Sequence, residues 1–139
     1  MTLLSRSANE SFARAAVTAF ASQLDPTLEE INDIKTAVSE AVTNCIVHAY
    51  NEKLGNIYIT AEIIEPDSIR IKIRDRGCGI ENIEKAMEPL YSSLGGERAG
   101  LGFAVMQCFM DKIKVSSQMG KGTTVTMTKR IRPRITANG

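Results

Sequence analysis

The chain has 139 residues, of which 43% are hydrophobic and 24% are charged, and its formal net charge is +1. These values are typical of a globular protein, and the length predicts a single domain over residues 1–139 with little room for a second. A net charge so close to zero gives no electrostatic argument for nucleic acid or a membrane surface as a partner, and direct binding to either is not expected. No apolar run is long enough to cross a bilayer. The three cysteines lack paired spacing, which predicts free thiols and a cytoplasmic protein.

The first third of the chain carries two patterns typical of amphipathic helices. A capping box at Ser7–Glu10 opens the first helix, and a second box at Thr27–Glu30 opens a helix that we expect to end near Ala49. The predicted buried stripe of the first helix consists of Phe12, Ala16, Phe20 and Leu24. That of the second consists of Leu28, Ile31, Ile34, Val38, Ala41, Val42 and Cys45.

Alternating apolar and polar residues then predict two antiparallel hairpins, formed by strands at 57–63 and 69–73 and by strands at 113–117 and 123–131. A third helix is predicted between the hairpins, beginning at the turn Gly100-Leu-Gly102. Its predicted buried face consists of Leu101, Val105, Cys108 and Phe109. The expected fold class is α+β: a two-layer sandwich of a mostly antiparallel sheet with about three main helices on one face.

Three segments have weaker patterns. A short helical stretch is expected near 83–87, before Pro89, and a small, polar, glycine-bearing loop over 91–99 is typical of a mobile segment. The tail over 132–139 is expected to fray.

The second helix carries a polar flank away from its apolar stripe. At about 100° per residue, Glu40, Asn44 and His48 follow one another along this flank. A carboxylate there could deprotonate a nucleophile, and an amide oxygen could complete a Mg²⁺ shell. Alternatively, the flank is simply a partly solvated helix face.

Asp75 comes at the end of a predicted strand, directly before Gly77 and Gly79. A fixed carboxylate at a strand end can accept a hydrogen bond from an exocyclic amine, which distinguishes adenine from guanine. Thr123 or Thr124, on the strand that opens at Gly122, could add a hydroxyl contact. Asp75 could equally cap a tight turn, and the pattern alone does not decide between these roles.

The turn Gly100-Leu-Gly102 precedes the third helix, so unpaired N–H groups and the positive end of the helix dipole would face a phosphate. The guanidinium of Arg98 could donate two charged hydrogen bonds to the terminal phosphate. Alternatively, the two glycines form a helix C-cap or a hinge, and Arg98 is an ordinary solvated side chain. Lys121 is expected to be an exposed turn residue, because the full phosphate-loop pattern is absent, and this argues against a P-loop enzyme.

These motifs together resemble a known family. The segments Glu40–Tyr50, Asp75–Ile80, Glu97–Phe103 and Gly120–Thr124 resemble the successive boxes of the ATP-binding fold shared by gyrase, Hsp90, histidine kinases and MutL. With Asn9–Arg14 and Gln23–Thr27, the resemblance narrows to the anti-sigma F factor family of spore-forming bacteria, which are serine protein kinases.

The resemblance implies roles for individual residues. It makes Glu40 the general base, Asn44 the Mg²⁺ ligand, Asp75 the reader of adenine and Arg98 a catalytic residue on the phosphate side. Gly77, Gly79, Gly100 and Gly102 match hinges of a lid over ATP, while Glu10 and Arg14 match a helix surface that binds partner proteins. Further cofactor contacts are assigned to His48, Ile80, Leu101, Thr123 and Thr124.

The implied function is a protein serine/threonine kinase that uses ATP with Mg²⁺, releases ADP and inhibits a sporulation sigma factor. Its substrate is a serine of an anti-anti-sigma protein, and it is expected to be a homodimer. Alternatives are a non-catalytic, nucleotide-gated sigma-binding module and a stress-response relative. The catalytic fragment of a sensor histidine kinase is disfavoured because His48, the only histidine, lies inside the binding helix.

Overall fold

The computed structural model describes residues 1–51, 53–80, 82 and 98–132, and for residues 98–101 it describes the backbone alone. Within this part of the chain, two helices, a hairpin, a third helix and a second hairpin follow a short first strand. The elements are β1 (Thr2–Leu4), α1 (Ala8–Ala21), α2 (Leu28–Asn44), β2 (Asn56–Ile64), β3 (Ser68–Arg74), α3 (Arg98–Phe109), β4 (Lys112–Gln118) and β5 (Gly122–Arg130). A 3₁₀ turn over Ser22–Leu24 follows α1, and α2 continues into a π-helical turn over Cys45–Ala49.

The strands form one antiparallel sheet in the order β1-β2-β3-β5-β4. Ile59 lies opposite Ile73, and Ile73 lies opposite Val125, so one face of the sheet is apolar across three strands. The helices cover this face, and among the described residues the helices and strands together form one buried core. The predicted α+β sandwich, with three helices on one side of an antiparallel sheet, is therefore confirmed.

The prediction for the first helix is wrong in two respects. Ser7 lies at the N-cap position but makes no side-chain cap, because its backbone is already helical and the Glu10 carboxylate contacts Ser11 and Arg14 instead. The buried face is also rotated by one residue. It consists of Ala13, Val17, Thr18 and Ala21, while Phe12 is 57% exposed and Ala16 and Phe20 are partly covered.

The second helix matches its prediction more closely. The Thr27 hydroxyl accepts from the Glu30 N–H and the Glu30 carboxylate accepts from the Thr27 N–H, which completes the expected capping box. The helical stretch ends at Ala49 as expected. Leu28, however, is 84% exposed, since it lies in the first turn beyond the edge of the core.

The third helix begins at Arg98, so Gly100-Leu-Gly102 lies inside its first turns and does not precede it. Its buried side chains are Phe103 and Met106, and Met110 is buried just after its end, whereas the predicted Cys108 and Phe109 are exposed. The helix is apolar on nearly all sides, so periodicity could not identify the buried face.

The expected helix near 83–87 and most of the loop over 91–99 lie outside the described residues, as does the tail beyond 132. The single-domain assignment over 1–139 stays a prediction. None of the described helices has both the length and the apolar character needed to cross a membrane.

Candidate nucleotide-binding site

A pocket of about 240 Å³ lies between α2 with its π-helical turn, the ends of β3 and β5, and the start of α3. Its walls combine apolar side chains with a few polar groups, which is the usual character of a small-molecule site. Those polar groups come from three different elements. The lining residues are Ala41, Asn44, Cys45, His48, Ala49, Ile73, Asp75, Cys78, Gly79, Ile80, Phe103, Thr123 and Val125.

Asp75 directly follows β3 and is only 5% exposed. Its Oδ1 accepts hydrogen bonds from the backbone N–H of Gly77 at 2.9 Å and of Thr123 at 3.2 Å. The thiol of Cys45, in the π-helical turn that continues α2, donates a hydrogen bond of 3.6 Å to Asp75 Oδ2. The carboxylate is thus fixed from two strand ends and one helix, and it lines the pocket.

Burial is the largest influence on the pKa values of Asp75 and Cys45. Loss of water raises the pKa of the Asp75 carboxyl above its ordinary value, and the hydrogen bonds from Gly77, Thr123 and Cys45 oppose that rise. Burial and the neighbouring Asp75 charge raise the pKa of the Cys45 thiol well above its usual range. Cys45 therefore stays protonated and acts as a donor to the carboxylate.

Removing this donor is expected to raise the Asp75 pKa further. In Cys45→Ala the carboxylate loses a hydrogen bond that favours its charged form, whereas Cys45→Ser retains a donor. The carboxyl ¹³C shift of Asp75 followed against pH by NMR measures the effect. Cys108→Ala, a change at an exposed thiol on α3, is the matched control. An Asp75 titration that is the same in Cys45→Ala and the wild type would show that the thiol does not act on this carboxylate.

Glu40 and Asn44 meet α3 at Gly102. A Cβ placed on Gly102 would lie 3.2 Å from Glu40 Oε2 and 3.2 Å from Asn44 Oδ1. The two side chains therefore share the junction between α2 and α3, as expected for residues one helical turn apart. Gly102 leaves room for them, and a side chain there would crowd both.

Asn44 is also an unusual buried amide. Within the described part of the chain, neither its Oδ1 nor its Nδ2 has a hydrogen-bond partner, although both atoms are buried. A buried polar group left in this way is costly unless a ligand or ion supplies the missing contact. The residues that the structure describes contain no cluster of three carboxylate, histidine or cysteine side chains that could hold a metal ion. The amide thus fits a cation held by one protein oxygen together with ligand oxygens and water.

The turn after Asp75 is shaped by backbone contacts. A side chain on Gly77 would overlap the Ala49 carbonyl, and Gly79 adopts φ +82°, a conformation that favours glycine. The Ile80 N–H donates to the Ser117 hydroxyl at 2.7 Å, and that hydroxyl lies 2.8 Å from the Thr123 hydroxyl. Ser117 therefore connects the turn to β5 through hydrogen bonds, and the sequence analysis did not identify this residue as part of the site.

Most of the sequence-predicted site residues come together here. Asn44, His48, Asp75, Gly79, Ile80 and Thr123 line the pocket, Gly77 holds Asp75, and Glu40 and Gly102 lie at the α2–α3 junction. The backbones of Arg98, Gly100 and Leu101 form the first turn of α3.

The structure differs from the predicted site at three residues. The cofactor contact predicted for Thr124 is wrong, because Thr124 follows the buried Thr123 and pairs with the exposed Arg74, on the opposite face of the sheet. Cys45 and Phe103 line the pocket but had been assigned to a core stripe or to no role. The sequence does contain an indication of their role, because Cys45 directly follows Asn44 and Phe103 directly follows Gly102.

Glu10 and Arg14 lie away from the pocket on α1. Arg14 Nη1 is 3.6 Å from Glu10 Oε1, and its Nη2 donates to the Ser11 hydroxyl at 3.3 Å. Arg14 and Lys35 line two neighbouring grooves between α1 and α2, and the second of these reaches Glu40. This surface therefore leads from α1 to the carboxylate at the pocket's edge.

Comparisons with known proteins give matches over most of the chain. The profile of the histidine kinase-like ATPase domain family matches residues 4–129. The chain is 63% identical to the anti-sigma F factor of Caldanaerobacter subterraneus subsp. tengcongensis over 129 residues, which cover 92% of this chain and 90% of that protein. It is 61% identical to the anti-sigma F factor of Thermoanaerobacter sp. strain X514, covering 94% and 92% of the two chains.

A solved structure supports the fold. The RsbU and RsbW domains of a Mycobacterium tuberculosis protein match with a TM-score of 0.67 and 21% identity, over 96% of this chain and 33% of that one. At this identity the match shows a shared fold and no more.

Proposed function

The chain belongs to the histidine kinase-like ATPase domain family and, within it, to the anti-sigma F factors, and from this premise we propose that it is a sigma-factor inhibitor that is also a protein serine kinase. It uses ATP with Mg²⁺ and phosphorylates a serine of an anti-anti-sigma protein. Its proposed setting is the cytoplasm of a sporulating cell. Family membership supports adenine nucleotide binding, and the residues described above support the finer assignment.

Adenine recognition is assigned to Asp75. Its Oδ1 is occupied by two backbone N–H groups, while Oδ2 has capacity beyond the Cys45 thiol to accept from an exocyclic amine. Guanine presents a carbonyl oxygen at the equivalent position and would be repelled by the carboxylate. Thr123, whose backbone N–H donates to Asp75, is proposed to add a hydroxyl contact to the base.

The phosphate end is assigned to the junction of α2 and α3. Asn44 Oδ1 would hold Mg²⁺, and the first turn of α3 would offer backbone N–H groups that have no partner within the helix. Bound Mg²⁺ would supply positive charge against the phosphate oxygens. Arg98, the first residue of α3, is proposed to act at the terminal phosphate.

Glu40 is the proposed general base. It shares the α2–α3 junction with Asn44 and also lines the groove that leads to Arg14. A serine hydroxyl entering along that groove would meet the carboxylate beside the phosphate end, where Glu40 would accept its proton as the hydroxyl attacks. This position at Gly102, between groove and pocket, is the observation that carries the kinase proposal.

Incubation of the purified protein with Mg·ATP and an anti-anti-sigma protein tests the proposal. We expect a single phosphoserine on the partner, detected by mass spectrometry, and sigma binding that differs between ATP and ADP. A non-catalytic clamp would show nucleotide-dependent sigma binding without phosphoserine. Glu40 argues against that alternative, since a clamp needs no base.

The α1 surface is the proposed partner-binding site, and Arg14→Ala tests it. Arg14 is 40% exposed and its guanidinium is held by Glu10 and Ser11, so it is pre-organised for a carboxylate on a partner. We expect Arg14→Ala to weaken sigma binding about 10- to 100-fold, typical of a central arginine in an interface. Titration of labelled sigma factor measures this.

ATP affinity of Arg14→Ala should be unchanged, because Arg14 does not line the nucleotide pocket. Arg6→Ala, a change at an exposed arginine before α1, is the control. Equal sigma binding by Arg14→Ala and the wild type would remove α1 from the proposed interface.

The homodimer also remains a proposal, for which β1, a three-residue edge strand, is the relevant element.

A further inference from the structure

The outer face of the sheet, on the side away from the helices, carries a regular array of polar side chains. Because side chains alternate along a strand, the register of the four strands β2, β3, β5 and β4 places them in three rows. The rows are Tyr58–Arg74–Thr124–Ser116, Thr60–Lys72–Thr126–Lys114 and Glu62–Arg70–Thr128–Lys112. We call these twelve residues the outer sheet face.

The charge of the outer sheet face is strongly asymmetric. It holds five cations and a single carboxylate, a net charge of +4, whereas the whole chain has a net charge of +1 and the remainder is therefore at −3. Glu62 pairs with Arg70 at 2.7 Å. Within the described residues, Lys72, Arg74, Lys112 and Lys114 make no ion pair, and all four are exposed.

The composition of this face distinguishes between kinds of partner. Interfaces between proteins have an apolar core and are depleted in lysine and serine, and the outer sheet face offers Tyr58 as its one large apolar side chain. Interfaces with nucleic acid are polar and positively charged, and lysine, arginine, serine and threonine supply most contacts to phosphate. A single aromatic ring is too little to stack unpaired bases, which favours a duplex.

We propose that the outer sheet face binds the phosphate backbone of a nucleic acid duplex without reading its base sequence. Lys72, Arg74, Lys112 and Lys114 would neutralise phosphates, while the threonines Thr124, Thr126 and Thr128 between them would donate hydroxyl hydrogen bonds. The overall charge of +1, which gave no indication of such binding, conceals this separation because the fold gathers the cations on one surface. The proposal is independent of the kinase assignment, since the strand residues Ile73 and Val125 that line the pocket alternate with the outward-facing Arg74 and Thr124.

Fluorescence anisotropy with labelled duplex DNA and duplex RNA of mixed sequence tests the proposal. We expect binding at low salt, with log K falling against log salt at a slope of about −3 to −4 for four neutralised phosphates. Lys72→Gln/Lys114→Gln, which neutralises the middle row, should weaken binding at least about tenfold and bring the slope to about −2. Its ATP affinity should equal that of the wild type, which also reports that it is folded.

The matched control is Arg6→Gln/Lys53→Gln, which removes the same net charge from exposed positions off the face. It should bind duplex within about twofold of the wild type. No duplex binding at low salt, or equal losses in the two double variants, would overturn the proposal. Binding to poly-glutamate or to phosphatidylserine vesicles in place of duplex would overturn it in favour of an acidic protein or a membrane.

Discussion

Replacing Glu40 with glutamine is expected to abolish nearly all phosphoryl transfer while leaving ATP binding intact. The carboxamide has almost the same shape, so it fits the space beside Gly102, but it cannot accept a proton from the attacking hydroxyl. General base catalysis typically contributes about 10²- to 10⁴-fold, and we expect a fall in the single-turnover rate within that range. Transfer of the labelled γ-phosphate to the anti-anti-sigma protein measures it.

Two comparisons make the Glu40→Gln result interpretable. Glu29→Gln, the same change at an exposed position in the first turn of α2, should retain the wild-type rate. The Kd for Mg·ATP of Glu40→Gln should lie within about twofold of the wild type, because the base touches the hydroxyl and not the nucleotide. A full transfer rate in Glu40→Gln would refute the assignment of the base.

Asp75→Asn is expected to lose adenine nucleotide binding and to stabilise the nucleotide-free protein. The amide places an N–H donor where the adenine amine also donates, so we expect affinity to fall at least about 100-fold, the size of a lost charge-assisted hydrogen bond with an unfavourable contact in its place. A ligand at 100 times its Kd stabilises by about 2.7 kcal/mol. The wild type should therefore show a clear rise in Tm with ATP, and the variant should show none.

The stability effect follows from the sign of the Asp75 pKa shift. Its folded pKa is raised by burial, so the folded protein binds this proton more tightly than the unfolded chain, and ionisation of Asp75 costs stability as pH rises through the folded pKa. Asp75→Asn removes that cost. Its free energy of unfolding without nucleotide should exceed that of the wild type at pH 7, and the difference should shrink as pH falls towards 4. A variant that is less stable than the wild type at pH 7 would contradict this account.

The fold was predictable from sequence where one periodicity dominates. Alternation in 57–63 and 69–73 placed both strands within a residue or two, and the Thr27–Glu30 box located the start of α2. Prediction failed where the pattern was ambiguous. In α3 almost every side chain is apolar, so nothing in the sequence separates Phe103 from Phe109. In α1 the larger phenylalanines suggested the core, but the small residues Ala13, Val17 and Ala21 form the buried face against the rest of the fold.

The site was predictable to the extent that glycine and acidic residues mark it. Asp75 and Gly77 were identified together because they lie two residues apart in the sequence, and their hydrogen bond is local. Cys45 and Ser117 were missed because their roles depend on partners that lie 30 and 37 residues away, Asp75 and Ile80. Such pairings are created by the sheet register and by the packing of α2, neither of which a local motif records.

Isothermal titration calorimetry of the wild-type protein with Mg·ATP, ADP and GTP tests the central claim most directly, because every proposed role depends on one adenine pocket. The account predicts saturable binding of both adenine nucleotides at a single site per chain, at least about 100-fold weaker binding of GTP, and a weaker ATP affinity when magnesium is removed with EDTA. A folded protein that takes up no adenine nucleotide, or that binds GTP as tightly as ATP, would contradict it.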